Sequence, residues 1–340
     1  MKQHRILIIR PDRVGDVVLT TPLIREIKKK YPESFVGVLV SPATRPLLEQ
    51  NPNIDVLLTD DPQGADSGNR GFWKQVRILR SFHFTTGLMP LPRERHAWMM
   101  FCAGIPKRIG VGTKLYQVLT GMKSVSRHKY IPLRHEADYV MDLGRKIGVK
   151  SSALSPELFL TEGEISSARS ALAGHGFDIS KPVIGINPGS NKSSANWDIE
   201  QYKSLIRSLS PSSQIFLNVG PKNSGLREHF TEFNNAFLFD SDSLRELIAM
   251  VNELNVLVTS STGPLHIASA LKIPTISIFC PLTACSPTLW GPLGNKSYVF
   301  LPPEGYCQGR CPGNPKICPL EEIPIDPIVH HIESIVHRSR

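Results

Sequence analysis

A chain of 340 residues, 41% hydrophobic and 20% charged, is long enough for about two well-cored domains. No apolar run approaches the roughly 20 residues that span a bilayer, so no membrane-spanning helix is expected. The first apolar run, 6–9, is too short for a signal-peptide core, and the expected location is the cytoplasm. The net charge of +9 is unevenly placed: residues 1–150 carry 25 Lys and Arg against 13 Asp and Glu, whereas residues 151–340 carry 14 against 17. A basic first half suits an anionic partner such as nucleic acid, a phosphorylated glycolipid or a membrane surface. It also fits lysines scattered over a solvated face. Nucleic acid ranks below the others because no binding motif accompanies the charge.

Residues 5–10 read as a compact strand ending in Pro11-Asp12-Arg13-Val14-Gly15-Asp16. Residues 17–30 follow with helical periodicity and a cationic last turn, which suits the helix dipole. Asp16 falls at or near the N-cap of that helix, where a carboxylate serves as a structural cap. It is equally placed to be a general base at the carboxyl end of the first strand, the edge where open α/β sheets hold ligands. The turn has no G-x-G-x-x-G, which disfavours a dinucleotide-dependent dehydrogenase.

The alternation continues with a strand at 35–40, a helix at 44–50 and a strand at 54–58. A helix at 72–82 and a strand at 85–91 complete this run. Arg93, Arg95 and His96 follow that last strand, either as acceptor contacts or as a basic helix start. Residues 107–134 read as an irregular basic stretch, a lid or a surface excursion, and 135–147 as a helix closing the first domain. A Ser-rich turn near 149–156 and a polar helix at 164–175 lead into the linker before Lys181.

The second series opens with a strand at 183–187 that runs into Pro188-Gly189-Ser190-Asn191-Lys192, small residues plus a lysine suited to phosphate oxygens. Lys192 reads either as a diphosphate partner or as an ordinary loop cation. A strand at 214–219 ends in Gly220-Pro221-Lys222, and a helix at 226–233 follows. Asp240-Ser241-Asp242 superficially matches a metal-binding D-x-D, but Ser243-Leu244-Arg245-Glu246 is a capping box that accounts for it, so no metal is read there.

Between strands at 255–258 and 275–279 lies Ser260-Ser261-Thr262-Gly263-Pro264-Leu265-His266, opening a helix at 265–271. Ser261 or Thr262 is placed to cap it, with Pro264 in its first turn. The same residues make an anion cradle, since helix N–H groups face outward and Gly263 lets a phosphate approach the backbone. An ordinary tight turn is the plainer reading. Residues after 279 read as an irregular tail before a last amphipathic helix at 326–337. Cys307, Cys311 and Cys318 form C-x3-C-x6-C, read as reduced structural thiols or, with Cys285 or a histidine as fourth ligand, as a zinc site.

Taken together, these pieces resemble glycosyltransferase family 9, the lipopolysaccharide heptosyltransferase group. The resemblance rests on Gly15-Asp16 with Pro22, Asn187-Pro188-Gly189-Ser190 with Trp197, and Ser261-Thr262-Gly263-Pro264-Leu265-His266 with Ala268 and Ala270. Phe279-Cys280-Pro281 and Trp290-Gly291-Pro292 extend it over nearly the whole chain. It implies an α/β, glycosyltransferase-B fold, with two Rossmann-like domains facing a central cleft. Residues 1–160 would bind the acceptor and 180–325 the nucleotide-sugar donor, with 326–340 packing back on the first domain.

The resemblance further implies an inverting, metal-independent enzyme that moves a heptose or related sugar from ADP-heptose to a lipopolysaccharide core or similar glycolipid. Asp16 matches the family's base, and Thr262, Gly263 and His266 its diphosphate and sugar contacts. Asn187, Gly189, Ser190, Lys192, Lys222 and Ser261 join the donor set; Arg13, Arg93 and Arg95 are assigned to an anionic acceptor. No cofactor or nucleic acid is expected, and the enzyme would sit peripherally on the cytoplasmic face of the inner membrane. Two departures touch the donor pocket: Ser261 stands where the family often has Asp, and Ala195 where it has Lys. They leave room for a decayed nucleotide-sugar-binding protein, and the fold itself for a nucleotide-sugar epimerase.

Overall fold

The computed structural model describes residues 4–127, 130–178, 180–190, 194–211, 213–221 and 225–338. It divides into two compact units, Met1–Phe159 and Leu160–Arg340. The first holds β1 (Arg5–Ile9), β2 (Phe35–Val40), β3 (Val56–Thr59), β4 (Thr86–Met89), β5 (Lys107–Val111) and β6 (Lys123–Val125). The second holds β7 (Val183–Asn187), β8 (Gln214–Asn218), β9 (Ala236–Phe239), β10 (Val256–Ser260), β11 (Thr275–Ile278) and β12 (Ser297–Phe300).

Every strand pairing is parallel. The orders are β3-β2-β1-β4-β5-β6 and β12-β11-β10-β7-β8-β9. Counted within each unit, both are the 3-2-1-4-5-6 order of a doubly wound sheet. The central strands read as unbroken apolar runs, RILII in β1 and VLVTS in β10, because helices cover both faces of a parallel sheet. In the first unit Leu7, Ile9 and Leu39 pack against Val76, Leu79 and Met100 of the covering helices. In the second, a Cβ on Gly185 of β7 would lie 2.4 Å from the Leu254 side chain, so only glycine admits that close approach.

The expected helix at 17–30 is two helices, Val14–Val18 and Thr21–Lys30. Pro22 has no N–H to give the Val18 carbonyl, and the Thr21 hydroxyl donates to it instead at 2.8 Å. The stretch read as irregular, 107–134, contains β5 and β6 joined by a helix, Leu115–Leu119. β5 begins Lys-Arg and contains glycine, so it lacks the apolar pattern of its neighbours. β9 and β12 were likewise missed, and the helix at 226–233 is a 3₁₀ turn, Arg227–Phe230. Helix Glu162–Gly174 belongs to the second unit, as does the last helix, Asp326–Arg338. That last helix buries Ile328, Ile332 and Ile335 in the second unit's core.

Candidate functional site

In an open α/β sheet, ligands bind outside the carboxyl ends of the strands where the strand order reverses. That reversal falls between β1 and β4 in the first unit and between β7 and β10 in the second. The residues singled out from the sequence follow these same four strands, except Lys222, which comes after β8.

In the first unit, Arg10 ends β1 and is buried, and three carboxylates gather round its guanidinium. Nε lies 3.0 Å from Asp12 Oδ1, while Nη2 donates to Asp16 Oδ1 and, at 3.3 Å, to Glu136 Oε1. Arg127 grips the far side of Glu136 with hydrogen bonds of 2.6 and 2.8 Å. Three carboxylates against two guanidiniums leave the cluster one negative charge in excess when all are ionised. Burial pushes the Asp16 carboxyl above its ordinary range and the Glu136 charge adds to this, against the opposing pull of Arg10 and Arg13. Burial, with Asp16 and Glu136, pushes Asp12 up to about 7 despite Arg10. Asp16 keeps 16% side-chain exposure and Asp12 11%, against 2% for Glu136, so Asp16 is the most exposed carboxylate of the cluster.

Asp16 is not the cap of its helix: Arg13 holds that position, and Asp16 is the third helical residue. Its carboxylate is thus directed to Arg10. Arg13 is exposed, as is Arg93 at the N-cap of Glu94–Cys102. Arg95 behaves differently from the acceptor role assigned to it. Its guanidinium forms two 2.9 Å hydrogen bonds with the fully buried Asp60 and a third, 2.8 Å, with the Asp66 carbonyl. His96 Nε2 lies 2.9 Å from the same Asp60 carboxylate. Burial alone would raise the Asp60 pKa, but its bonds to His96 and Arg95 hold it below the ordinary value. Arg95 and His96 therefore fasten this helix to the end of β3.

In the second unit, Asn187 at the end of β7 ties the two candidate turns together. Its Nδ2 donates to the Gly189 carbonyl at 2.9 Å and to Thr259 Oγ1 at 3.0 Å, with Thr262 Oγ1 at 3.4 Å. Its Oδ1 accepts from Asn218 Nδ2 at 2.7 Å. Thr262 occupies the N-cap of helix Gly263–Ala270 in extended conformation, yet its side chain makes no capping hydrogen bond. Its hydroxyl meets Thr259 Oγ1 at 3.0 Å instead. The cap expected from Thr262 is therefore absent, its hydroxyl being turned to β10 instead. Ser261, Gly263, Gly189 and Ser190 are partly exposed around it, and His266 is buried one turn on. Lys192 and Lys222 lie outside the described residues. Ala195 is buried in the core beside Trp197.

Ser243 caps Glu246 N at 3.2 Å and Asp240 pairs with Arg227 at 3.0 Å, so the D-x-D residues have structural work. All six cysteines are free thiols. Among the described residues no group of three or more His, Cys, Asp or Glu side chains is arranged to hold a metal ion. Arg10, Glu136 and Arg127 were missed as site residues; the only local signal was a cation directly after the apolar run of β1.

Two doubly wound parallel units, one ending in a carboxylate cluster and the other in a helix N-terminus, have the glycosyltransferase-B fold. The chain belongs to glycosyltransferase family 9 (heptosyltransferase), whose model matches residues 74–311. Lipopolysaccharide heptosyltransferase 2 of Salmonella typhimurium is 24% identical over 90% of this chain and 90% of its own. The family 9 glycosyltransferase of Veillonella parvula superposes with a TM-score of 0.84 at 21% identity, covering 98% of this chain and 97% of the other. The E. coli ADP-heptose LPS heptosyltransferase II does so with a TM-score of 0.77 at 21% identity, covering 98% and 99%. The chain is a glycosyltransferase.

Proposed function

We propose that this enzyme transfers a heptose from ADP-heptose to a sugar hydroxyl of a lipopolysaccharide core acceptor, inverting the anomeric centre without a metal ion. The observation that carries this reading is Asp16: a partly exposed carboxylate of raised proton affinity at the carboxyl end of β1, where a general base needs both properties. In a single displacement the acceptor oxygen bonds to the anomeric carbon as the carbon–oxygen bond to the diphosphate breaks. The electron pair leaves with ADP and the acceptor's proton passes to Asp16. The N-terminus of Gly263–Ala270, with Asn187 and Thr262 holding the turn, suits the charge growing on the leaving diphosphate. Lys192 and Lys222 are proposed to add to it, with Gly189, Ser190, Ser261 and His266 completing the donor set.

Arg13 and Arg93, both exposed, are proposed to meet acceptor phosphates; Arg95 retains that part only through what its bonds to Asp60 leave free. The test is ADP release from ADP-heptose with a lipopolysaccharide core acceptor in excess EDTA, with product configuration read by NMR. Transfer with inversion supports the reading. Dependence on added metal, or a retained configuration, overturns it. Donor conversion without acceptor would mark an epimerase, and ADP binding without release a decayed site.

A further inference from the structure

The short helix Leu115–Leu119 is inside out. Its one polar side chain apart from Tyr116, Gln117, is 2% exposed: Nε2 donates to the Val111 carbonyl at 3.0 Å, and Oε1 accepts from Lys114 N at 2.8 Å. Its aliphatic side chains face solvent, Leu115 at 74%, Val118 at 68% and Leu119 at 60% exposure. Isolated exposed leucines are ordinary, but three on one face of a five-residue helix, over a buried glutamine, form a surface that has its own use. The face continues to Phe101, 45% exposed, through Arg108: its guanidinium lies 5.3 Å from the Phe101 ring, and its Nε donates to the Thr120 carbonyl at 2.8 Å.

The surrounding charge is predominantly positive, although the exposed Glu94 acts on Tyr116 of this helix against Arg93. Residues 95–135 contain eight Lys and Arg and no Asp or Glu, and Lys114 and Lys123, which bracket the helix in sequence, are exposed. Lys114 lies in the loop leaving the carboxyl end of β5, and Arg93 in that leaving β4, so this face borders the edge of the sheet that carries Asp16.

We propose that Phe101, Leu115, Val118 and Leu119, with Lys114 and Lys123, dock the first unit on an anionic lipid surface. Aliphatic and aromatic side chains that enter the headgroup boundary, among cations that meet lipid phosphates, are what a peripheral enzyme needs to hold such a surface. A second copy of this chain is disfavoured, because an isologous contact would press the same acid-free stretch against itself. A nucleic acid would leave the aliphatic residues without a counterpart. The proposal rests on the acceptor being a membrane glycolipid, and it gives the first unit a way to stay beside it.

The test is co-sedimentation of the full chain with vesicles of phosphatidylcholine alone and of phosphatidylcholine with phosphatidylglycerol. Binding to the anionic vesicles is expected, falling at least about tenfold in Leu115→Ser/Val118→Ser/Leu119→Ser and, separately, in Lys114→Glu/Lys123→Glu. Equal binding to both vesicle types, or binding unchanged in both variants, overturns the proposal. So does a wild-type dimer in sedimentation equilibrium that the triple variant renders monomeric. Turnover of a delipidated, water-soluble acceptor reads the proposed reaction separately. Lost vesicle binding with that turnover intact supports docking through this face, and vesicle binding with no turnover leaves docking standing while the transfer reading fails.

Discussion

Arg10 and Glu136 are 126 positions apart in the chain, and Arg10 Nη2 lies 3.3 Å from Glu136 Oε1. Glu136 is held in turn by both terminal nitrogens of Arg127. The most exposed carboxylate of the cluster, Asp16, bonds to the same Arg10 nitrogen. Glu136 thus acts on Asp16 through Arg10, as a positioning residue and as a nearby negative charge that raises proton affinity.

Removing that charge should move the reaction's pH dependence. Glu136→Gln keeps the shape but deletes the anion, so Asp16 should ionise at lower pH and the acidic limb of the kcat profile should shift downward. A limb that stays in place, or moves upward, would show that Glu136 does not tune the base. Glu136→Ala, by contrast, strips the buried Arg10 and the half-buried Arg127 of a partner and should destabilise the unit by about 3–5 kcal/mol, measured by urea unfolding.

Asp16→Asn should lower turnover by about a hundred- to ten-thousand-fold while ADP affinity, measured by calorimetry, stays within about twofold. The amide keeps the side chain's size and can still meet Arg10 through its oxygen, so a loss of turnover reports the missing base. Near-normal turnover would return Asp16 to a purely structural part.

Asp12 makes stability depend on pH in a definite sense. Its pKa rises from 3.8 to about 7 on folding, so the folded chain binds a proton that the unfolded chain has already released between those values. The stabilisation this brings is complete below pH 4 and is lost as pH rises through 7. Asp12→Asn should flatten that part of the thermal-unfolding profile, most visibly as relative stabilisation above pH 7. A variant whose melting temperature parallels wild type from pH 5 to 8 would contradict the assignment.

Thr262→Val deletes a buried hydroxyl within reach of Asn187 and Thr259 while keeping the branched shape. The expected cost is about 1–3 kcal/mol of stability, with ADP affinity falling too because the turn before Gly263 loses its tie to β7. Unchanged affinity would separate this turn from donor binding.

Much of the architecture was legible locally. The central strands β1, β2, β7 and β10 are continuous apolar runs separated by amphipathic helices, and that pattern alone marks a doubly wound parallel fold. Asp16, Asn187 and the 260–266 turn stood out because small or polar residues directly after a strand mark a ligand edge. β5 and β6 were hidden, since KRIGV and KSV sit at the sheet's margin and need fewer apolar side chains. Periodicity reports which face of an element is buried, but not which partner a buried charge will meet. Only the tertiary structure placed Glu136 on Arg10, turned Arg95 toward Asp60, and set Gln117 inward with Leu115, Val118 and Leu119 outside. A charge or amide can be buried only where distant parts of the chain supply its counter-charge or hydrogen bonds, and that pairing exists only once the chain has folded.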